Sequence, residues 1–515
     1  MRHFPDHAIL FPLAPIAACV ALAWPGSAGA AEWTVTPGVD LRETYTDNIR
    51  LSPAGSEQSD FITEVAPRLS IRGIGARMKL SADYGMRNFF YARTDGASNT
   101  QHYLQANANA ELVENLFFID GRASSGQQAI SEFGPQVSGN GNLSGNETEV
   151  RSASISPYLR HRFGRAATGE LRYSRDMVNA DAGGLRDSNS DRVRLSIDSG
   201  SDFHTLQWGV LYDDQRIEYK DAEDVDTRAL SGTLRYLVTP RISLTATAGR
   251  EENSYASIGR NPEGSFWSLG AIWAPSERTH ISAAAGKRFF GDTLSIDARH
   301  RTRMGIWSIG YQEDITTARS QFLVPVTQDT ASFLSGLWEA SIPDQAAREQ
   351  LVQEFIRDAS LPSTMVFPVT AYTNRVFLQK TAHASVAFRG AFNTLILNLF
   401  RTQREPQSAS AADASLGVGI GALAGEATRQ TGAGAVWNWR LSPRTSVVAS
   451  AGINRIHGQA SGREDDNISA RIGITRQLQQ KVKGGVELRR LEKRSNQVNA
   501  EYRENAVTAF LQISF

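Results

Sequence analysis

The final ten residues, Ala506-Val507-Thr508-Ala509-Phe510-Leu511-Gln512-Ile513-Ser514-Phe515, place apolar Val507, Ala509, Leu511, Ile513 and Phe515 at every second position. Polar Thr508, Gln512 and Ser514 stand between them, and Phe510 alone breaks the polar series. A period of two puts the apolar set on one face of a β-strand. Such a strand, ending on an aromatic, suits a sheet that closes on itself in lipid, where the last strand must pair with the first. The edge of a soluble sandwich could carry the same zigzag, so the number of such segments has to decide.

Zigzag segments run along the whole chain. Val193, Leu195 and Ile197 alternate with Arg192, Arg194, Ser196 and Asp198, and Leu230, Leu234 and Tyr236 with Ser231, Thr233 and Arg235. Ile296 and Ala298 alternate with Asp297, Arg299 and Arg301, and Ile468, Ala470, Ile472 and Ile474 with Ser469, Arg471, Gly473 and Thr475. Each segment has about ten residues, enough to cross an outer membrane at a tilt. Tight turns are expected at Arg72-Gly73, Glu114-Asn115, Phe163-Gly164, Gly200-Ser201, Thr239-Pro240-Arg241, Pro275-Ser276, Arg301-Thr302, Arg389-Gly390, Ser442-Pro443-Arg444 and Leu478-Gln479. With both chain ends on the turn side, ten turns imply about 22 strands, within a range of 18 to 22. Longer polar connections, at Gln127 to Asn146, Val178 to Ser188, Gln403 to Glu426 and Gly458 to Asp466, alternate with the turns and are expected on the outer side. The fold class is therefore all-β, a single transmembrane antiparallel β-barrel. Aromatics at Asn88-Phe89-Phe90-Tyr91, Phe266-Trp267, Trp273, Trp307, Tyr311, Trp437 and Trp439 fall near strand ends, where headgroup-level anchors belong.

Residues 1–31 read as a secretory signal peptide: Arg2 and His3, an apolar stretch from Ala8 to Trp24, then small residues Ala28 and Ala30 before a cut. Residues 32–515 are then the barrel. The chain's one cysteine, Cys19, lies in the removable part, where Ile16-Ala17-Ala18-Cys19 also resembles a lipoprotein box; a cut after the small residues at Ala28 to Ala31 leaves no cysteine, hence no disulfide and no thiolate metal site. No later apolar run approaches the roughly 20 residues of a membrane-spanning helix. A hydrophobic fraction of 41% does not contradict a barrel, because only alternate residues meet lipid. Charges balance at 54 against 54, which excludes a strong nucleic-acid footprint. Only seven of the basic residues are lysine. That bias fits a GC-rich genome or a polyanion path, since guanidinium pairs carboxylates in two places.

The segment Pro343 to Asp358 breaks the strand grammar, with Ala347, Leu351 and Phe355 repeating every four residues behind Pro343. It predicts a helix near 343–358 inside one long loop, 317–371, either folded into the pore or packed on the rim. Catalytic, cofactor and metal sites are not expected. The mature histidines show no ligand spacing, no G-x-S-x-G turn occurs, and Gly417-Val418-Gly419-Ile420-Gly421 lacks a βαβ context. Asp213, Asp214, Asp221, Glu223, Asp224 and Asp226 form an acidic run, read as a solvated loop tip or a Ca²⁺ or lipopolysaccharide contact. The better functional candidates are polar residues expected to face the lumen. These are Lys79, Asp83, Arg87, Arg192, Arg194, Arg235, Asp297, Arg299, Arg301, Arg303, Glu487 and Arg489. Such a lining suits a hydrophilic solute held by many weak contacts, or inward charges that pair and keep the wall rigid.

Trp33-Thr34-Val35-Thr36-Pro37-Gly38-Val39, then Glu43-Thr44-Tyr45-Thr46-Asp47-Asn48-Ile49-Arg50-Leu51, then Ser59-Asp60-Phe61 to Pro67 and Ala82-Asp83-Tyr84, form a more specific layout. It resembles the β-barrel porins associated with exopolysaccharide loci, above all the PEP-CTERM-system-associated outer-membrane barrel family. The resemblance implies a place in a Gram-negative outer membrane beside exopolysaccharide export, and it carries over no catalytic residue. Asp47-Asn48 reads as a loop cap or a ligand site. The expected partners are outer-membrane lipid and lipopolysaccharide, the barrel-assembly machinery, exopolysaccharide and periplasmic export proteins. Three functions are open on this reading: a pore for polymer export, a plugged structural barrel that anchors polymer or scaffolds the secretion machinery, and a barrel-embedded lipid- or glycan-modifying enzyme.

Overall fold

The computed structural model describes residues 32–515 apart from 95, 138–140, 182–185, 221–222, 259–260, 324–333, 336–347, 349–351, 353–368, 370–372 and 409–424. The expected signal peptide, the Gly417 to Gly421 run and most of the expected helix near 343–358 lie outside the described residues. Within that helix Arg348 and Val352 are described, and both are helical.

The strands are β1 Glu32–Thr46, β2 Asp60–Ile74, β3 Met78–Tyr91, β4 Asn99–Val113, β5 Phe117–Ala129, β6 Glu147–Phe163, β7 Ala167–Ala180 and β8 Ser188–Ser199. There follow β9 Leu206–Tyr219, β10 Val225–Thr239, β11 Ile242–Asn253, β12 Glu263–Ser276, β13 Thr279–Arg288, β14 Gly291–Arg301 and β15 Gly305–Thr317. After a short helix, α1 Ala318–Leu323, come β16 Val376–Arg389, β17 Asn393–Pro406, β18 Thr428–Ser442, β19 Thr445–Gly458, β20 Glu464–Gln479, β21 Val482–Ser495 and β22 Tyr502–Ser514. Each strand pairs antiparallel with its neighbours in sequence, and β22 pairs with β1 from Gly38↔Ser514 to Thr46↔Ala506, closing a 22-stranded barrel. Closure satisfies every ladder without leaving an edge, as lipid requires.

Ten connections of two to six residues join β2 to β3 and every second pair thereafter, on the side where β1 starts and β22 ends. By the rule for outer-membrane barrels this is the periplasmic end. The other end carries the long connections, 318–375 and 407–427 above all, although β13 and β14 are joined there by only 289–290. Three expected turns lie two or three residues too early, each for a local reason. Pro275 sits in a bulge, where the β12–β13 register shifts between Trp273 and Ser276, and Leu478 sits in another between Gln477 and Gln479. An extra residue in a bulge tolerates Pro and imitates a turn signal. Gly73 is no turn residue either. It lies opposite Trp33 in register, and a Cβ there would stand 2.6 Å from the Trp33 ring.

The period of two decides which face meets lipid. Leu234, Leu269, Leu399 and Leu488 point outward and are between 51% and 60% exposed. Such an exposed apolar belt belongs to a membrane-spanning surface rather than to a monomer in water. Val507 and Ala509 on β22, and Phe515 just after it, are exposed on this face, with Leu511 and Ile513 half-buried between them. Phe510 turns inward, where Gly485 makes room for its ring: a Cβ at 485 would stand 2.5 Å from Phe510 Cζ. Trp267, Trp273, Trp307, Trp437 and Trp439 are outward and exposed, whereas Phe89, Tyr91 and Phe266 are corrections: all three face inward, Tyr91 against the Ile49 cluster and Phe266 against Gly249, and Phe89 most deeply. Phe89 is buried against Ile49 and Ile62, because its parity in β3 is opposite to that of exposed Phe90.

Candidate functional site in the barrel lumen

The residues expected to line the lumen fall on the inner face, with one exception. Arg303 lies in the 302–304 turn between β14 and β15, outside the strand alternation, and Arg301 ends β14 at the rim. In β3, Lys79, Asp83 and Arg87 share the inward parity. Asp83 meets Arg72 at 3.2 Å and Arg87 meets Glu64 at 3.0 Å. Arg192 and Arg194 share Asp213, at 2.7 and 3.7 Å. Arg235 donates to Ser243 Oγ, Asp297 meets Arg299 at 3.2 Å, and Glu487 meets Arg471 at 3.2 Å. The inner wall is thus charged, and most of its charge is paired between adjacent strands.

What sequence reasoning missed is how the long connections enter this space. The β5–β6 connection, 130–146, reaches strands far around the barrel. Asn142 Nδ2 donates to Glu504 Oε1 on β22 at 2.9 Å, and Arg489 Nη2 on β21 donates to Asn142 Oδ1 at 3.1 Å. Phe133 is held at both its carbonyl and its ring. Lys493 Nζ and Arg463 Nη2 donate to its oxygen at 2.5 and 2.9 Å, and the Arg463 guanidinium lies 4.9 Å from its ring centroid. Asp465, fully buried, neutralises both cations, at 2.7 Å from Lys493 and 3.0 Å from Arg463. Tyr502 Oη accepts the Gln136 N–H. Small apolar clusters complete the seat: Leu51, Leu491 and Tyr502 under Val137, and Ile49, Ile62 and Phe89 under Leu143.

Val369, of the connection 318–375, meets the first loop at Gln430 on β18. Gln430 Nε2 donates to Glu132 Oε2 at 2.5 Å and to Val369 O at 2.7 Å, and its Oε1 accepts the Val369 N–H. At the opposite wall α1 sends Arg319 to Ser188 Oγ on β8 and to Asp176 O on β7. Burial holds the Glu132 carboxyl above the usual carboxylate range, against the lowering effect of Arg404 and of hydrogen bonds from Thr428 and Gln430. Burial likewise lowers Arg319. All these contacts lie toward the long-loop end. Nearer the short turns, inward Arg122, Arg162 and Arg194 are exposed. The lumen is therefore packed toward one end and wet toward the other.

The acidic run of 213–226 is not one cluster. Asp213 and Asp214 are consecutive strand residues, so Asp213 faces the lumen and Asp214 faces out, toward Arg228 at 3.2 Å. Asp226 is in β10, and Asp221 lies outside the described residues. Asn48 acts as a loop cap: its Nδ2 donates to Ser52 O and Arg503 O, and its Oδ1 accepts the Ser52 N–H. Asp47 accepts from Asn505 N and Nδ2 across the closing seam.

No family model and no curated protein matches the chain. Among solved structures, it is similar to the siderophore receptor PirA of Pseudomonas aeruginosa, at 9% identity over 93% of this chain and 80% of that one, with a TM-score of 0.45. A mutant of the ferric enterobactin receptor PfeA from the same organism gives 9% identity over 95% and 81%, with a TM-score of 0.47. OpdK of Pseudomonas aeruginosa, solved with vanillate, gives 10% identity over 93% and 99%, with a TM-score of 0.35. At such identities the ligands of those proteins say nothing of this one, and the barrel assignment stands on the chain's own strand pairing and closure.

Proposed function

We propose that the chain is an outer-membrane pore protein that passes a hydrophilic polymer, exopolysaccharide in the secretion system its N-terminal layout resembles, and that its inner loops gate the long-loop end. The observation that carries this reading is the asymmetry of the lumen. A solute entering between the short turns meets exposed, charged side chains, and it stops where the 130–146 connection, α1 and Val369 are seated. Many paired charges along the wall offer weak contacts in place of one tight site, which lets a polymer move. In this reading residues 1–31 direct export and are removed, and the apolar belt sits in the outer membrane. A clean deletion strain should retain polymer in its periplasm; unchanged secretion would refute the export role.

The buried ions favour a second reading, a plugged barrel that anchors polymer or scaffolds the export machinery. Asp465, Lys493 and Glu504 are all 2% exposed or less, a seat that could be permanent. Planar-bilayer conductance separates the two. A gated pore conducts in bursts, and steadily once 131–145 is replaced by a short Gly-Ser linker. A permanent plug leaves the intact protein silent.

A further inference from the structure

We infer that the solute is a polyanionic glycan, one bearing carboxylate or phosphate groups, and that the β5–β9 wall of the lumen is the track it follows. The inference rests on the export reading and adds the charge of the substrate to it.

Arg172 on β7 and Arg194 on β8 stand directly opposite each other in register, both facing inward. Like charges at directly opposed positions repel and weaken a sheet. A wall meant only for rigidity would place a carboxylate at one of the two. Arg172 is partly neutralised: it meets Asp120 at 2.6 Å and Glu170 at 3.0 Å, and its guanidinium lies 3.8 Å from the Tyr158 ring centroid. Among the described residues Arg194 meets one carboxylate, Asp213, at 3.7 Å, which Arg192 holds more closely.

Three carboxylates of this wall are held by arginines, while two of its guanidiniums face the wet end without a carboxylate among the described residues. Asp120, Glu170 and Asp213 each face at least one arginine. Among the described residues, Asp198 near the short turns and Asp176, toward Arg319 at the long-loop end, are the wall's other inward acids. Arg122 on β5 and Arg162 on β6 face inward, are exposed, and meet no carboxylate among the described residues. Together with Arg194 they rise from the short-turn rim into the wet part of the lumen. Guanidinium binds carboxylate or phosphate through paired N–H donors yet is weakly hydrated, so it can exchange one anionic group for the next. Tyr158 is buried against the Phe118 ring, with centroids 5.0 Å apart, and fixes the Arg172 guanidinium in this wall.

The test uses the full mature chain in planar bilayers under a KCl gradient, as wild type, with 131–145 replaced, and with Arg122→Gln, Arg162→Gln and Arg194→Gln in both backgrounds. Folding of each is checked by its heat-modifiable gel mobility. Anion selectivity is expected, and the triple variant should lower the anion-to-cation permeability ratio by about twofold or more. Polygalacturonate added at the short-turn side should block the wild-type current, neutral dextran of equal size should not, and the triple variant should need about tenfold more polygalacturonate. A cation-selective or unselective current, or a block indifferent to the three arginines, overturns the polyanion inference and leaves the pore standing. Silence from both backgrounds removes the export reading, and this inference with it.

Discussion

Arg489 on β21 and Glu504 on β22 meet inside the barrel with Nη2 2.6 Å from Oε1, and the same carboxylate oxygen accepts from Thr46 on β1 and from Asn142 of the β5–β6 connection. One buried acid thus ties the closing seam to the loop that crosses the lumen. The seam explains why an inward glutamate stands on a strand whose outward face is apolar: the two faces answer to different solvents.

Glu504→Gln should destabilise the barrel by about 3–5 kcal/mol, because it leaves Arg489 buried without its counter-charge. Adding Arg489→Met should recover much of the loss. Urea unfolding in lipid vesicles measures both, and a double variant no more stable than Glu504→Gln alone would show that the pair is not coupled.

Lys493→Met removes one of the two cations on the Phe133 carbonyl, and Phe133→Ala removes the ring that lies against Arg463. Either change should loosen 130–146. Limited proteolysis of the detergent-solubilised protein should cut that segment faster in both variants than in wild type, and single-channel recordings should show longer open times.

The buried Glu132 carboxyl sets a pH dependence. Its folded-state value is raised, so the seated loop binds the proton more tightly than the released loop does. The seat is therefore firmest at and below the ordinary carboxylate range and weakens as pH rises through the raised value. Conductance should increase with pH across that interval and stay flat in Glu132→Gln. A wild-type profile identical to that of the variant would show that Glu132 does not control the loop.

Leu488→Arg puts a charge on the lipid face near mid-strand and should cost about 2–4 kcal/mol. Thr508→Arg, on the inner face of the neighbouring strand, should cost much less. Folded fractions in lipid vesicles, read from gel mobility, compare them; a larger penalty for Thr508→Arg would mean that the two faces are assigned the wrong way round.

Gly485→Val should also be costly, since a Cβ there would stand 2.4 Å from Ile474 O as well as against Phe510. Overpacking of this kind costs about 1–3 kcal/mol. Phe510→Leu in the same chain should relieve the ring contact and leave the backbone one, which thermal denaturation of the two variants can resolve.

The barrel was legible in the sequence because lipid imposes a rule that every strand obeys. Val507 to Phe515, Ile472 and Ile474, and Leu230 and Leu234 each reveal their outward face by parity alone, and ten turn signals are enough to count 22 strands. Inward parity was equally readable for Lys79, Asp83, Arg87, Glu487 and Arg489, and Arg303 failed only because a turn interrupts the alternation. Parity could not give the partners. Glu504 meets Asn142, and Lys493 meets Phe133, across more than 350 positions, and no local period links residues so far apart. Nor does composition tell whether 130–146 extends into solvent or folds inward, since its polar residues suit both. The sequence by itself determined the sheet, its closure and the two faces of its wall, because those follow from backbone hydrogen bonding and the solvent on each side. Only the tertiary structure decided which end of the lumen is packed and which is wet, because that depends on where side chains from distant strands find a buried counter-charge.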